Sequence, residues 1–100
     1  MSAQVTDVKE RHRWEISDEN GQLMGFITYI EREADGKPVR ILNHTVVDPN
    51  TQGQGIGSQL VRFALDQMRE DGQGVVPVCP FVDGWMAKHP EYNDMRVPRG

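Results

Sequence analysis

The stretch "TVVDPNTQGQGIGSQL", residues 45–60, narrows most sharply what this chain can fold into. A β-branched run ends at Asp48-Pro49, glycines follow at 53, 55 and 57, and a pattern of helical period begins directly after them. A strand therefore becomes a helix through a turn of minimal bulk. The first amides of a helix have no partner within it and stand at the positive end of its dipole, so such an entrance suits an anion. Glycines let the main chain curl and let a bulky phosphate approach, which makes Gly53, Gly55 and Gly57 fit a diphosphate. The plainer alternative is a tight connection with no ligand.

Two nucleotide patterns are excluded by spacing. A Walker loop needs Gly-Lys-Ser/Thr at the helix entrance, and Ile56-Gly57-Ser58 has no lysine. A dinucleotide fingerprint needs Gly-x-Gly-x-x-Gly opening a parallel unit, whereas the third glycine here comes one residue early and the preceding strands read as a meander.

The flanking segments predict an α+β fold. Residues 12–17, with Trp14 and Ile16 on one side, form a strand that turns at Asp18-Glu19-Asn20-Gly21. The second strand is "QLMGFITYIE", in which Gly25 marks a bulge or a close backbone approach. The turn "ADGKP" leads into a third strand over residues 39–47, completing an antiparallel three-stranded meander. Ile56, Leu60, Phe63, Ala64 and Met68 then repeat at helical spacing, giving a long central helix from Ser58 to Asp71 that Gly72 stops. Residues 75–82 read as a divergent edge strand, because Pro77 and Pro80 each remove a ladder donor. A short C-terminal helix over Asp83–Lys88, with Asp83 as its N-cap, is stopped by Pro90, and the tail beyond is expected to be loose.

The spacing Gln52-x-x-Gly55-x-Gly57 after "HTVVDP" resembles the acyl-coenzyme A binding signature of the GNAT N-acyltransferase superfamily. From Trp14 to Tyr92 the order of elements, with His44, Gln52, Gly55, Gly57 and Cys79 in place, is similar to its small single-domain subgroup. The resemblance implies one acetyl-CoA-binding domain over residues 1–100 with a core at about 12–92. It implies that the amides of Gln52, Gly53, Gln54, Gly55, Ile56, Gly57 and Ser58 hold the pyrophosphate of acetyl-CoA or coenzyme A. The main chain at Val46 and Val47 would pair with the pantetheine arm like an added strand. The strand after the helix would splay from the strand before the glycines, opening a cleft for the thioester, and the prolines independently require imperfect pairing there.

Acyl transfer to an amine needs the amine neutral, the oxyanion stabilised and the departing thiolate protonated. Cys79, between Val78 and Pro80, falls where the resemblance places the cleft; it is a candidate acyl-accepting nucleophile, or else a small buried hydrophobe. His44, on the strand across the cleft, is the candidate base, or else a hydrogen-bonded structural imidazole. Tyr29 and Tyr92 are lesser candidates as proton donors, and Lys88 and His89 as phosphate contacts; Trp14, Phe26, Phe63, Phe81 and Trp85 are assigned to core or cleft wall.

Composition limits the partners. A net charge of −4 without a basic cluster argues against nucleic acid, and short apolar runs with a polar first twenty residues argue against a membrane span or signal peptide. The lone cysteine suits a reducing, cytoplasmic setting, and no His, Cys, Asp or Glu group has metal spacing. Three functions remain: an acetyltransferase acting on a small-molecule or protein amine, a non-catalytic acyl-CoA-binding module or partner subunit, and a plain structural domain.

Overall fold

The computed structural model describes residues 3–51 and 53–97, so Gln52 of the signature lies outside the described residues. Five strands, β1 (Gln4–Val8), β2 (Arg13–Ser17), β3 (Leu23–Ala34), β4 (Lys37–Val47) and β5 (Gly74–Pro77), lie in one sheet in the order β1-β2-β3-β4-β5. The first four are antiparallel, and β5 runs parallel to β4. That parallel step needs a crossover, which helix α1 (Ile56–Glu70) supplies. A second helix, α2 (Pro80–Ala87), is followed by a 3-10 segment at Pro90–Met95.

The α+β class, the glycine turn, the long helix and the short second helix stand as the sequence predicts. The meander, however, has four strands rather than three. β1 carries only Val5 and Val8 as apolar residues, and its hold on the sheet comes from Asp7, a residue that strand propensity disfavours. The buried Asp7 carboxylate accepts hydrogen bonds from Tyr29 Oη at 2.6 Å, Arg40 Nη1 at 3.0 Å and Gln67 Nε2 at 3.0 Å. The Arg40 guanidinium also reaches Glu31 and lies over the rings of Tyr29 and Trp14, while Trp14 Nε1 donates to Gln67 Oε1. One polar knot thus ties β1 to β2, β3, β4 and α1.

Turn chemistry matches the local sequence. Asp35 and Gly36 both have positive φ (53° and 79°) in the two-residue β3–β4 hairpin, and Asp18 Oδ1 accepts the N–H groups of Asn20 and Gln22 in the β2–β3 turn. Gly25 is both bulge and close approach: the β2–β3 register shifts beside it, and a Cβ there would lie 2.7 Å from Val46 O.

The core lies between one sheet face and α1. Ile56, Leu60, Val61, Ala64, Leu65 and Met68 are buried against Trp14, Ile16, Ile27 and Leu42. Phe63, assigned to core or cleft wall, is instead exposed, because its position falls on the far side of the helical stripe. The second helix starts at Pro80, three residues before the predicted Asp83, so the predicted strand over 75–82 is cut to four residues. Pro80 occupies the first helical position, where its missing N–H costs nothing, and Asp83 pairs with Arg96 instead of capping. α2 and the segment after it pack beside α1: Trp85 Nε1 donates to Ser58 Oγ at 2.9 Å and Tyr92 Oη to Asp66 Oδ1 at 2.7 Å. Among the described residues, no helix covers the opposite sheet face.

Candidate functional site

The chain leaves β4 through Asp48, whose carboxylate accepts the Asn50 N–H and whose carbonyl accepts both the N–H and the hydroxyl of Thr51. Gly53 (φ 85°) and Gly55 (φ 67°) then take left-handed conformations that a side chain would strain. Gly55 is the N-cap of α1, and no side chain caps this helix. The Gln54 N–H is spent on Thr51 O at 3.3 Å, and the first turn of the helix closes with Gln59 N to Gly55 O at 3.0 Å. Between them, the N–H groups of Gly55, Ile56, Gly57 and Ser58 donate to no protein group among the described residues. Four amides with no acceptor among the described residues, at the positive end of a fifteen-residue helix, make this entrance a candidate anion site.

Gly57 has a second reason to be glycine. A Cβ on it would lie 2.7 Å from Cζ of Phe81, whose half-exposed ring rests over the first turn of α1.

Beside the cradle the sheet splits. β4 and β5 pair from Val39–Gly74 to Leu42–Pro77, and the last bond between them runs from Cys79 N to Leu42 O at 2.9 Å. Pro77 offers no N–H, and Val78 N turns back to Val76 O in a three-residue turn that suits the fixed φ of proline. β5 therefore leaves the sheet, while β4 continues to Val47 with only β3 beside it.

Cys79 sits in this split, 5% exposed, at the N-cap of α2. Its Sγ lies 3.3 Å from Thr45 Oγ1. Burial pushes the thiol pKa up, but the Thr45 hydroxyl and the main-chain N–H groups of Val82, Phe81 and Thr45 all favour the thiolate, and the balance is downward.

The structure does not place His44 among these partners. Thr45 pairs with Ile27 on the α1 side of the sheet, whereas His44 pairs with Thr28 and is exposed on the opposite face. The cause is a bulge: the β3–β4 register shifts between Thr28 and Tyr29, leaving Asn43 as the extra residue, so the inward position after Leu42 passes to Thr45. Val46 shares the outward face with His44, and Val47 packs against the core. Thr45 is the residue that sequence reasoning passed over. It stood in the quoted "HT" pair, but strict alternation from Leu42 points to its neighbour.

The lesser candidates have structural partners. The Tyr29 and Tyr92 hydroxyls are bound to Asp7 and Asp66; burial first and those carboxylates second raise both phenol pKa values. His89 stacks on Trp85 with ring centroids 3.7 Å apart, its Nδ1 2.7 Å from Trp85 O. Among the described residues there is no group of three or more His, Cys, Asp or Glu that could hold a metal ion, and no helix is long and apolar enough to cross a membrane.

A parallel strand pair thus splits beside an uncapped helix entered through glycines. Comparison with known proteins makes this specific. The sequence profile of the family described as GCN5-related N-acetyl-transferase matches residues 13–95, and the chain belongs to that family of N-acetyltransferases. A GCN5-like protein from Staphylococcus aureus, solved in solution, shares the fold with a TM-score of 0.68 at 23% identity, over 97% of this chain and 90% of that one. The GNAT family N-acetyltransferase YhbS of Escherichia coli, in complex with CoA, aligns at 27% identity and a TM-score of 0.54 over 63% of this chain and 37% of its own. A GNAT family acetyltransferase from Brucella melitensis, in complex with acetyl-CoA, aligns at 26% identity and a TM-score of 0.54 over 73% of this chain and 50% of its own. No curated protein shows significant similarity to the chain.

Proposed function

We propose that this protein transfers the acetyl group of acetyl-CoA to a primary amine, with the cofactor held by Gly53–Ser58 together with Gln52 and by the main chain at Val46 and Val47. The observation that carries this reading is the set of four amides at Gly55–Ser58 with no acceptor among the described residues, set beside a split in which Thr45 contacts the Cys79 sulfur. The likeness to structures bound to CoA and acetyl-CoA supports the choice of cofactor. The residues fit that cofactor: the helix amides would receive its diphosphate, and the β4 edge beyond Leu42 would pair with its amide-bearing arm.

The bound cofactor supplies an activated thioester. Cys79, as thiolate, would attack the acetyl carbonyl; the Thr45 N–H and the α2 amides would steady the developing negative charge, and the carrier would leave as its own thiolate, to be protonated by solvent. Exchange of one thioester for another is close to isoenergetic, so the step needs little driving force. The amine then attacks acetyl-Cys79, a carbon–nitrogen bond replaces the carbon–sulfur bond, and Cys79 returns to thiolate. The proton released by the amine passes to solvent, because His44 is exposed on the outward sheet face, away from the sulfur.

Mass spectrometry of protein mixed with acetyl-CoA tests this. One acetyl group on Cys79, discharged by added amine and abolished by prior alkylation, is the expected result. Turnover that persists undiminished in Cys79→Ala would instead mean direct attack by the amine on the bound thioester.

A further inference from the structure

Helix α2 carries a groove of about 260 Å³ that no step above uses, lined by Pro80, Phe81, Gly84, Trp85 and Lys88. Helical spacing sets Phe81, Gly84, Trp85 and Lys88 in one row, about 10 Å from first to last. This row touches the residues assigned to the diphosphate. Phe81 rests against Gly57, whose absent Cβ would lie 2.7 Å from Cζ of the ring, and Trp85 Nε1 donates to Ser58 Oγ at 2.9 Å. The groove therefore adjoins the first turn of α1 and continues along α2 to Lys88.

We infer that this groove holds the adenosine end of the carrier and that Lys88 pairs with its 3′-phosphate, so that the protein selects full coenzyme A over carriers that present pantetheine alone. The inference rests on the cofactor reading above and assigns further residues to that same site. A diphosphate on the first turn of α1 has two ends, and the one not directed along β4 carries the nucleoside, which must lie within a few bonds of those amides. Three features of the groove suit it. Phe81 is 46% exposed and offers an aromatic face on which a base can stack, while Trp85, nearly buried and stacked on His89 with centroids 3.7 Å apart, makes a fixed wall. Gly84 leaves the middle of the row open: a Cβ there would meet no atom within 4 Å, so a flat ring can approach the helix backbone. Lys88 is exposed and has no ion pair among the described residues, whereas the nearby carboxylate of Asp83 is held by Arg96 at 2.7 Å, so the lining presents an unmatched cation. The hollow on the other flank of the entrance, about 310 Å³ and reached past Gln54 and Ile56, is rimmed by Asp18 and Glu19, which would repel a phosphate.

The test is calorimetry of coenzyme A, its 3′-dephospho form and phosphopantetheine against wild type, Gly84→Leu and Lys88→Gln. Wild type is expected to prefer coenzyme A over the 3′-dephospho form about threefold to fivefold at low salt, with the gap narrowing as salt is raised. Lys88→Gln should remove that preference and nothing else. Gly84→Leu should weaken coenzyme A about tenfold by filling the groove, and leave phosphopantetheine affinity unchanged because that ligand has no adenosine. Leucine favours a helix more than glycine and its Cβ meets no protein atom here, so the fold tolerates the change. Lys88, being exposed, carries the test alone should that variant misfold. Coenzyme A that binds wild type, Gly84→Leu and Lys88→Gln equally, with no preference over its 3′-dephospho form, overturns the inference and leaves the cofactor reading standing. Coenzyme A that fails to bind wild type overturns both.

Discussion

The hydroxyl of Thr45 stands 3.3 Å from the sulfur of Cys79, joining two residues 34 positions apart across the only break between β4 and its neighbour β5 among the described residues. This contact fixes which face of β4 serves the cleft and holds a thiol where the chain turns from β5 into α2. It also makes the sulfur's ionisation depend on a residue outside its own segment.

Thr45→Val should therefore raise the thiol pKa, since the burial that disfavours the thiolate remains while one donor is lost. One hydrogen bond of ordinary strength corresponds to a loss of about 3- to 10-fold in thiolate population at neutral pH. An ultraviolet titration of the thiolate reads the shift directly. An unchanged or lowered pKa would mean that the hydroxyl is not a donor to the sulfur.

Glycines 55 and 57 should separate when each is changed to alanine. At Gly55 the φ of 67° imposes strain of about 1 kcal/mol on any side chain, visible as a fall in unfolding free energy. At Gly57 the backbone is helical and the only obstruction is the tip of the half-exposed Phe81 ring, which can swing away. Its stability should stay within about 0.5 kcal/mol of wild type, while coenzyme A affinity falls as the displaced ring and the new methyl crowd the amides. Calorimetry of both variants checks the pattern, which fails if Gly57→Ala binds the carrier normally.

Asp7 should dominate acid unfolding. Burial raises its pKa, yet hydrogen bonds from Tyr29, Arg40 and Gln67 and the charge of Arg40 bring it below the usual carboxylate range. Because the folded value lies below the unfolded one, the stabilisation is complete above about pH 4 and is lost as pH falls through the folded value. Asp7→Asn leaves the Arg40 guanidinium, itself only 3% exposed, facing just the more exposed Glu31. The expected loss is about 3 kcal/mol at neutral pH, with a flatter acid limb. Urea unfolding across pH measures both, and wild-type stability in the variant would contradict the knot's role.

What the sequence made legible follows from where its signals are local. The stripe of α1, the hairpin turns at Asp18–Gly21 and Asp35–Gly36, and the glycine entrance each need only neighbours a few residues away. The first strand was illegible because Asp7 is held by Tyr29, Arg40 and Gln67, partners that only the folded chain brings near. Pro80 is ambiguous by nature, since a proline that breaks a strand is equally a proline that opens a helix. The exchange of His44 for Thr45 beside Cys79 depends on a single extra residue in β4. A bulge of that kind leaves no mark in composition or period.

The amides of Gly55, Ile56, Gly57 and Ser58 are the part of the molecule on which the rest of this reading depends. Titration of isotope-labelled protein with coenzyme A, followed amide by amide in nitrogen–proton NMR spectra, tests them most directly. Large, saturable shifts at these four amides, lost with a carrier fragment that lacks the diphosphate, are predicted. Binding that leaves them unmoved while amides elsewhere respond would contradict the account.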